Sequence, residues 1–122
     1  MWIFCKLGFF SAVQHREHPE NLLIRARFKG DLERLLNAMT PEEYALCGRP
    51  SVSFTPDADY RYRVEIRKVV FAELIREQAE EIDYDNFKNA AHDGTVRDGA
   101  YMDVWRALWA AQNFGKNRAK VL

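Results

Sequence analysis

Two short runs, Leu22 to Lys29 (LLIRARFK) and Tyr60 to Arg67 (YRYRVEIR), alternate apolar with mainly basic side chains. A strand sends successive side chains to opposite faces, so this period of two fits a half-buried strand. Ile24, Ala26, Phe28, Tyr62, Val64 and Ile66 can then enter a core, while Arg25, Arg27, Lys29, Arg61, Arg63 and Arg67 stay out. The expected product is a sheet with one apolar face and one arginine-rich face. Helices cover the first, and the second is left for solvent or a partner.

The rest of the chain supplies the neighbours. Trp2 to Lys6 and Phe9 to His15 flank Leu7-Gly8, which predicts an N-terminal β-hairpin with Gly8 in the turn. Gly30 interrupts the first arginine run, and Asp31 can cap a helix carrying Leu32, Leu35, Leu36 and Met39 at helical spacing. Thr40-Pro41-Glu42-Glu43 is a capping box with proline at the first helical position, and Gly48 closes that short helix. Val52 and Phe54 read as a brief strand, and Pro56 to Asp59 as a turn before the second arginine run.

Phe71, Leu74, Ile75, Ala79 and Ile82 form one stripe of a helix over 69–82. Two further helical segments are expected over 85–92 and 100–114, separated by a loop containing Gly94 and Gly99. The fold class expected is α+β: a two-layer sandwich with a mixed, mostly antiparallel sheet and helices on one face, a ferredoxin-like variant. Strands 22–29 and 60–67 are expected to be joined by a parallel crossover. A single domain over 1–115 and a frayed tail over 116–122 complete the expectation.

Charge narrows the function. With 18 basic and 18 acidic residues among 122, the chain has no formal net charge, so no global field draws it to nucleic acid or an anionic membrane. Any basic site has to be local. The first residues hold no basic leader, and no apolar run approaches the ~20 residues of a membrane span. A soluble, cytoplasmic protein with no membrane role is expected. Cys5 and Cys47 are far apart and outside any metal or redox spacing, so reduced, idle thiols are expected.

Alternate strand residues lie roughly 6.6–6.8 Å apart, so Arg25 with Arg27 and Arg61 with Arg63 can offer paired guanidiniums to phosphate or carboxylate oxygens. Glu65 shares their phase, and an ion pair with Arg25 or Arg27 would cancel part of that charge. Phe28, Tyr60 and Tyr62 fall in the opposite phase, which argues against base stacking on the arginine face. His15 and His18 lack a zinc signature and are expected as surface loop residues, and His92-Asp93 makes an acid-base pair only if the fold turns them together. Asp57 with Asp59, and Asp83 with Asp85, fit turns and helix starts. No phosphate loop, serine elbow or HExxH helix occurs, so no catalytic residue, metal ligand or cofactor is expected, and a hydrolase is the most distant reading.

The last helical segment carries Tyr101, Met102, Val104, Trp105, Leu108, Trp109 and Ala111 on more than one narrow stripe. Deep packing uses such a surface, and so does a partner, for which Trp105, Arg106 and Trp109 are the expected anchors. The motifs Met1-Trp2-Ile3-Phe4, Gly8-Phe9-Phe10-Ser11, Asp57-Ala58-Asp59-Tyr60, Ile82 to Lys88 and Tyr101 to Arg106 resemble a group of small bacterial proteins. The resemblance implies a bacterial, soluble, stand-alone protein and carries over no catalytic residue.

Two function classes follow. The first is a small non-enzymatic interaction or regulatory protein, most simply with a protein partner, contacting it through the arginine face, the last helix or both. Self-association through that helix belongs to this class. The second is an anionic-ligand or nucleic-acid binder using Arg25, Arg27, Arg61, Arg63 and Arg67.

Overall fold

The computed structural model describes residues 1–114, so the tail expected over 116–122 lies outside the described residues. The elements are β1 (Trp2–Cys5), β2 (Gly8–Gln14), β3 (Asn21–Ala26), α1 (Lys29–Asn37), α2 (Pro41–Leu46), β4 (Ser53–Phe54), β5 (Tyr62–Arg67), α3 (Lys68–Glu80), α4 (Phe87–Ala90) and α5 (Val96–Phe114). Contacts gather into two compact units, Met1–Asp83 and a second that starts at Tyr84. The whole sheet belongs to the first.

The chain is α+β. Its strands form one open sheet in the order β1-β2-β3-β5-β4, with every neighbouring pair antiparallel. The parallel crossover expected between the two arginine strands does not form. The two-residue β4 and the turn after it reverse the chain, so β5 returns antiparallel and inserts between β3 and β4. The strands joined through α1 and α2 are therefore β3 and β4, parallel to each other and separated by β5, which is a split β-α-β unit. With β2 on the other edge of β3, the run β2-β3-β5-β4 has the order and alternating directions of a ferredoxin-like sheet. One outer strand is contributed from upstream of the unit, and β1 extends that edge.

The apolar phase goes where the period of two sends it. Ile24, Ala26, Val64 and Ile66 join Phe10 and Ala12 in a core covered by Leu32 and Leu35 of α1 and by Val70, Phe71 and Leu74 of α3. Both helices thus lie on one face. Phe28 and Lys29 leave the pattern because α1 already begins at Lys29, with Phe28 as its N-cap.

Asp31 has a different role from the cap expected of it. Its side chain is buried, 1% exposed, where Oδ2 accepts from Phe9 N at 3.2 Å and Oδ1 takes the Arg34 guanidinium. Arg34 Nε in turn donates to Leu7 O at 2.7 Å, so α1 grips the hairpin turn through one ion pair. Gly8 makes this possible by lacking a side chain: a Cβ there would lie 2.5 Å from Asp31 Cβ and 2.8 Å from its Oδ1. The hairpin loop is Lys6-Leu7, since Cys5 pairs with Gly8, and Gly8 opens β2 rather than forming the turn.

Local signals elsewhere hold closely. Thr40 Oγ1 accepts from Glu43 N at 3.1 Å and Glu43 Oε1 accepts from Thr40 N at 2.9 Å, the reciprocal bonds of a capping box. In the second unit, α5 starts at Val96 and contains Gly99, earlier than the glycine pair predicts. A polar loop sets that start: Asp98 accepts from the N–H groups of Asp93 and Gly94 at 3.0 and 2.9 Å, and Asp93 Oδ1 accepts from Thr95 N at 3.0 Å. Among the described residues, no helix is long and apolar enough to cross a membrane.

The contact between Gly8 and Asp31 generates a stability prediction. Gly8→Ala forces an overlap in a packed site and should destabilise the protein by about 1–3 kcal/mol in urea unfolding. A Gly8→Ala, Asp31→Gly double mutant should lose less stability than the two single mutants lose together, because the second change removes the atoms that the first collides with.

Candidate functional site

The sheet face opposite the helices is organised in rungs, because directly paired residues of antiparallel strands share a face. Phe4 pairs with Phe9 on the first rung. Trp2, Ser11, Arg25, Arg63 and Ser53 follow in register across all five strands. Val13, Leu23 and Glu65 make the next rung, then Asn21 and Arg67, with His15 N bonded to Asn21 O at 3.1 Å. Aromatic rings occupy one end of the face, guanidiniums its middle, and a histidine-carboxylate cluster the other end.

The aromatic end overturns the expectation that the arginine phase has no stacking platform. The rings come from β1 and β2, not from the arginine strands themselves. Phe4 and Phe9 stack at 4.3 Å with planes 12° apart, and Trp2 meets Phe9 edge-on at 5.7 Å while remaining 70% exposed. Tyr60 lies just before β5 and so escapes its alternation. Its ring is 3% exposed, 6.5 Å from Phe9, and the guanidiniums of Arg25 and Arg27 lie over it at 4.7 and 4.6 Å.

Arg25 and Arg63 are direct cross-strand partners. Arg25 Nη2 donates to Ser11 Oγ at 2.7 Å, its Nε is buried with no hydrogen-bond partner, and Arg63 Nε donates to Tyr60 O at 3.3 Å. Neither arginine pairs with a carboxylate among the described residues. Arg27 and Arg61 fall outside the strands and are exposed. Arg67 is drawn toward the end of α2, donating from Nε to Leu46 O at 3.3 Å and from its backbone to Cys47 Sγ at 3.4 Å.

Glu65 does not pair with Arg25 or Arg27, because its cross-strand neighbour is Leu23. It is held instead by His15 Nε2 at 3.1 Å, by His18 Nδ1 at 2.7 Å and by Asn21 Nδ2. The two imidazoles stack at 4.7 Å. His15 and His18 are thus more than loop residues: with Glu65 they tie the 15–20 connection to β5.

Each of these three offers a ligand atom within 4.8 Å of the others, the makings of a two-histidine, one-carboxylate metal set. The proton arrangement opposes that use. His15 Nδ1 accepts from the backbone N–H groups of Glu17 and His18 at 3.1 and 3.2 Å, so the ring carries its proton on Nε2 and donates to Glu65. A ligand nitrogen needs a free lone pair, and this one has none.

Beside the cluster a half-open pocket of about 400 Å³ is floored by Val13 and Leu23 and edged by His15, Arg16, Arg25 and Arg63. The second unit carries the remaining candidates. Arg106 pairs with Asp103 at 3.3 Å. Trp105 and Trp109, each 47% exposed, stack at 6.5 Å, with Lys88 over the Trp105 ring. On α5, Arg97 and Tyr101 are the buried residues. His92 meets Asp98, at 3.1 Å, and not Asp93. Asp98 and Asp93 are occupied in shaping the start of α5.

The missed members had one usable signal. Phe9, Ser11, Val13 and His15 repeat with period two, and a small serine among apolar neighbours marks a spot where a long side chain from the next strand lies down.

The histidine-glutamate tie depends on pH in a definite direction. The hydrogen bond and charge of Glu65 raise the His18 pKa above 6.5, and the Asn21 and His18 hydrogen bonds lower that of Glu65 below 4.5. The histidine contribution is fully present below 6.5 and is lost as pH rises through the raised folded value, whereas the glutamate contribution is present above 4.5 and is lost as pH falls through the depressed one. The tie is therefore strongest between these limits. A proton NMR titration should place the His18 midpoint above 6.5 in the native chain and lower it in Glu65→Gln. An unchanged midpoint in that variant would show that the carboxylate is not His18's partner in solution. No protein-family model, curated protein or solved structure matches this chain.

Proposed function

We propose that this chain is a non-enzymatic binding protein that holds single-stranded nucleic acid across the open face of its sheet. One observation carries the reading: Arg25 and Arg63, which pair with no carboxylate among the described residues, lie beside the Phe4–Phe9 stack and the exposed Trp2 on one face. A single strand presents two chemistries in alternation, phosphate charge and base π-faces, and this surface offers a counterpart to each. An open sheet with helices behind it and aromatic side chains in front is a recurrent platform for such ligands. That parallel is one of architecture only.

Neutral net charge sets the expected strength. With a few arginines engaged, binding should be modest and should weaken with salt at about −0.7 in log-log slope for each phosphate neutralised. Fluorescence anisotropy with a labelled single strand at several salt concentrations measures this. Arg63→Gln should reduce the slope by about 0.7, while Trp2→Ala should weaken binding about tenfold and leave the slope unchanged. No binding at low salt would remove the nucleic-acid reading.

A protein partner is the second reading, favoured by the apolar strip Trp105, Leu108, Trp109 and Phe114 that α5 leaves exposed. Aromatic groups of this kind anchor interfaces. A second copy of the chain is the partner most simply tested. Light scattering should then give a dimer mass that reverts to monomer in Trp105→Ala, Trp109→Ala with unchanged circular dichroism, and a native monomer at high concentration would count against it.

A further inference from the structure

The pocket at the far end of the arginine face differs from the rest of that surface in three ways. It is concave, whereas the aromatic end is an open sheet. Its lining includes three arginines, Arg16, Arg25 and Arg63, and one acidic residue, Glu17, while Glu65 beside it is already taken by His15, His18 and Asn21. And that same bridged cluster stands at the end of the track running from the rings through the arginines.

These features select among anionic groups. An internal phosphodiester carries one negative charge and a chain on both sides, so it needs an exit where the cluster stands. A terminal phosphate monoester carries close to two charges near neutral pH, exposes three acceptor oxygens and continues in only one direction. The excess of arginines over carboxylates in the lining matches its charge, and the amino groups of Arg25 and Arg63 beyond those bonded to Ser11 Oγ and Tyr60 O can donate to its oxygens. Val13 and Leu23 form a floor suited to the apolar face of the last sugar or base.

We propose that this pocket binds the terminal phosphate of the strand, with Arg25 and Arg63 as its principal ligands and the His15–Glu65–His18 bridge as the stop behind it. The inference rests on the single-strand reading of the sheet face and adds an end specificity to it. Chain polarity decides whether the 5′ or the 3′ phosphate is seated, and both ends share the monoester chemistry.

The test compares three labelled oligonucleotides of one sequence, with a 5′-phosphate, a 3′-phosphate or hydroxyls at both ends, bound to the full native chain. One phosphorylated form should bind about tenfold more tightly than the hydroxyl form. That advantage should disappear in Arg63→Gln and under competition from millimolar inorganic phosphate. Arg61→Gln, whose side chain is exposed outside the pocket, should weaken all three probes alike. Equal affinity for the three ends overturns the end specificity and leaves the sheet-face reading standing. Failure of all three to bind at low salt overturns both. The comparison of ends in the native chain needs no variant, so a substitution that impairs folding does not obscure the result.

Discussion

The antiparallel register of β3 on β5 determines both faces of the sheet at once. Pairing Ile24 with Val64 in the core obliges Arg25 to meet Arg63 on the other side. A slip of one residue would exchange the two sets and bury guanidiniums, so the apolar core fixes the arginines as firmly as it fixes itself. Like charges directly opposite one another cost roughly 0.2–1 kcal/mol. Arg25 lying over the Tyr60 ring returns about 0.5–1 kcal/mol, more where water is excluded, and the Ser11 hydrogen bond contributes further. The pair is tolerated because Tyr60 and Ser11 offset its repulsion, and no carboxylate is required to neutralise it.

What the sequence conveyed divides by range. The alternating runs, the capping box at Thr40 and the helical stripe of α3 are local patterns, and each forms close to where its residues predict. The direction of β5 was not legible, because it depends on a strand only two residues long, Ser53–Phe54, whose pairing leaves almost no periodic trace. The alternation places Tyr60 with Tyr62, but it ends with β5 at Tyr62, and Tyr60 beyond it lies under Arg25 and Arg27. The aromatic platform was missed for a related reason: its rings sit on β1 and β2, and only the register of those strands on β3 brings them to the arginine face. Asp31 looked like a cap because capping is the commonest use of aspartate beside a helix start, whereas its partner Phe9 N lies 22 residues away in the chain.

The histidines were undervalued because an ion pair between residues 47 apart has no spacing rule. Asn21 and Glu65, brought beside His15 and His18 by the sheet, give the histidines their role. Paired with Arg25, Glu65 would have neutralised part of the face; held by His15, His18 and Asn21, it pairs with neither Arg25 nor Arg63.

Global neutrality then bears on this face less than the sequence implied. Part of the acid lies on the helix layer behind the core: α3 carries Glu73, Glu77 and Glu80, of which Glu73 and Glu80 hold Arg76. A packed layer is about 10 Å thick, comparable with the Debye length of ~8 Å at physiological salt, and charges on the outer side of that layer lie farther away still. A phosphate approaching the open face therefore meets Arg25, Arg27 and Arg63 at short range and the α3 carboxylates only through screening. Net charge describes how the whole molecule drifts in a distant field. A neutral chain can keep a locally basic patch here because Glu65, the carboxylate on the same sheet face, is held by His15, His18 and Asn21, while the α3 carboxylates lie behind the core.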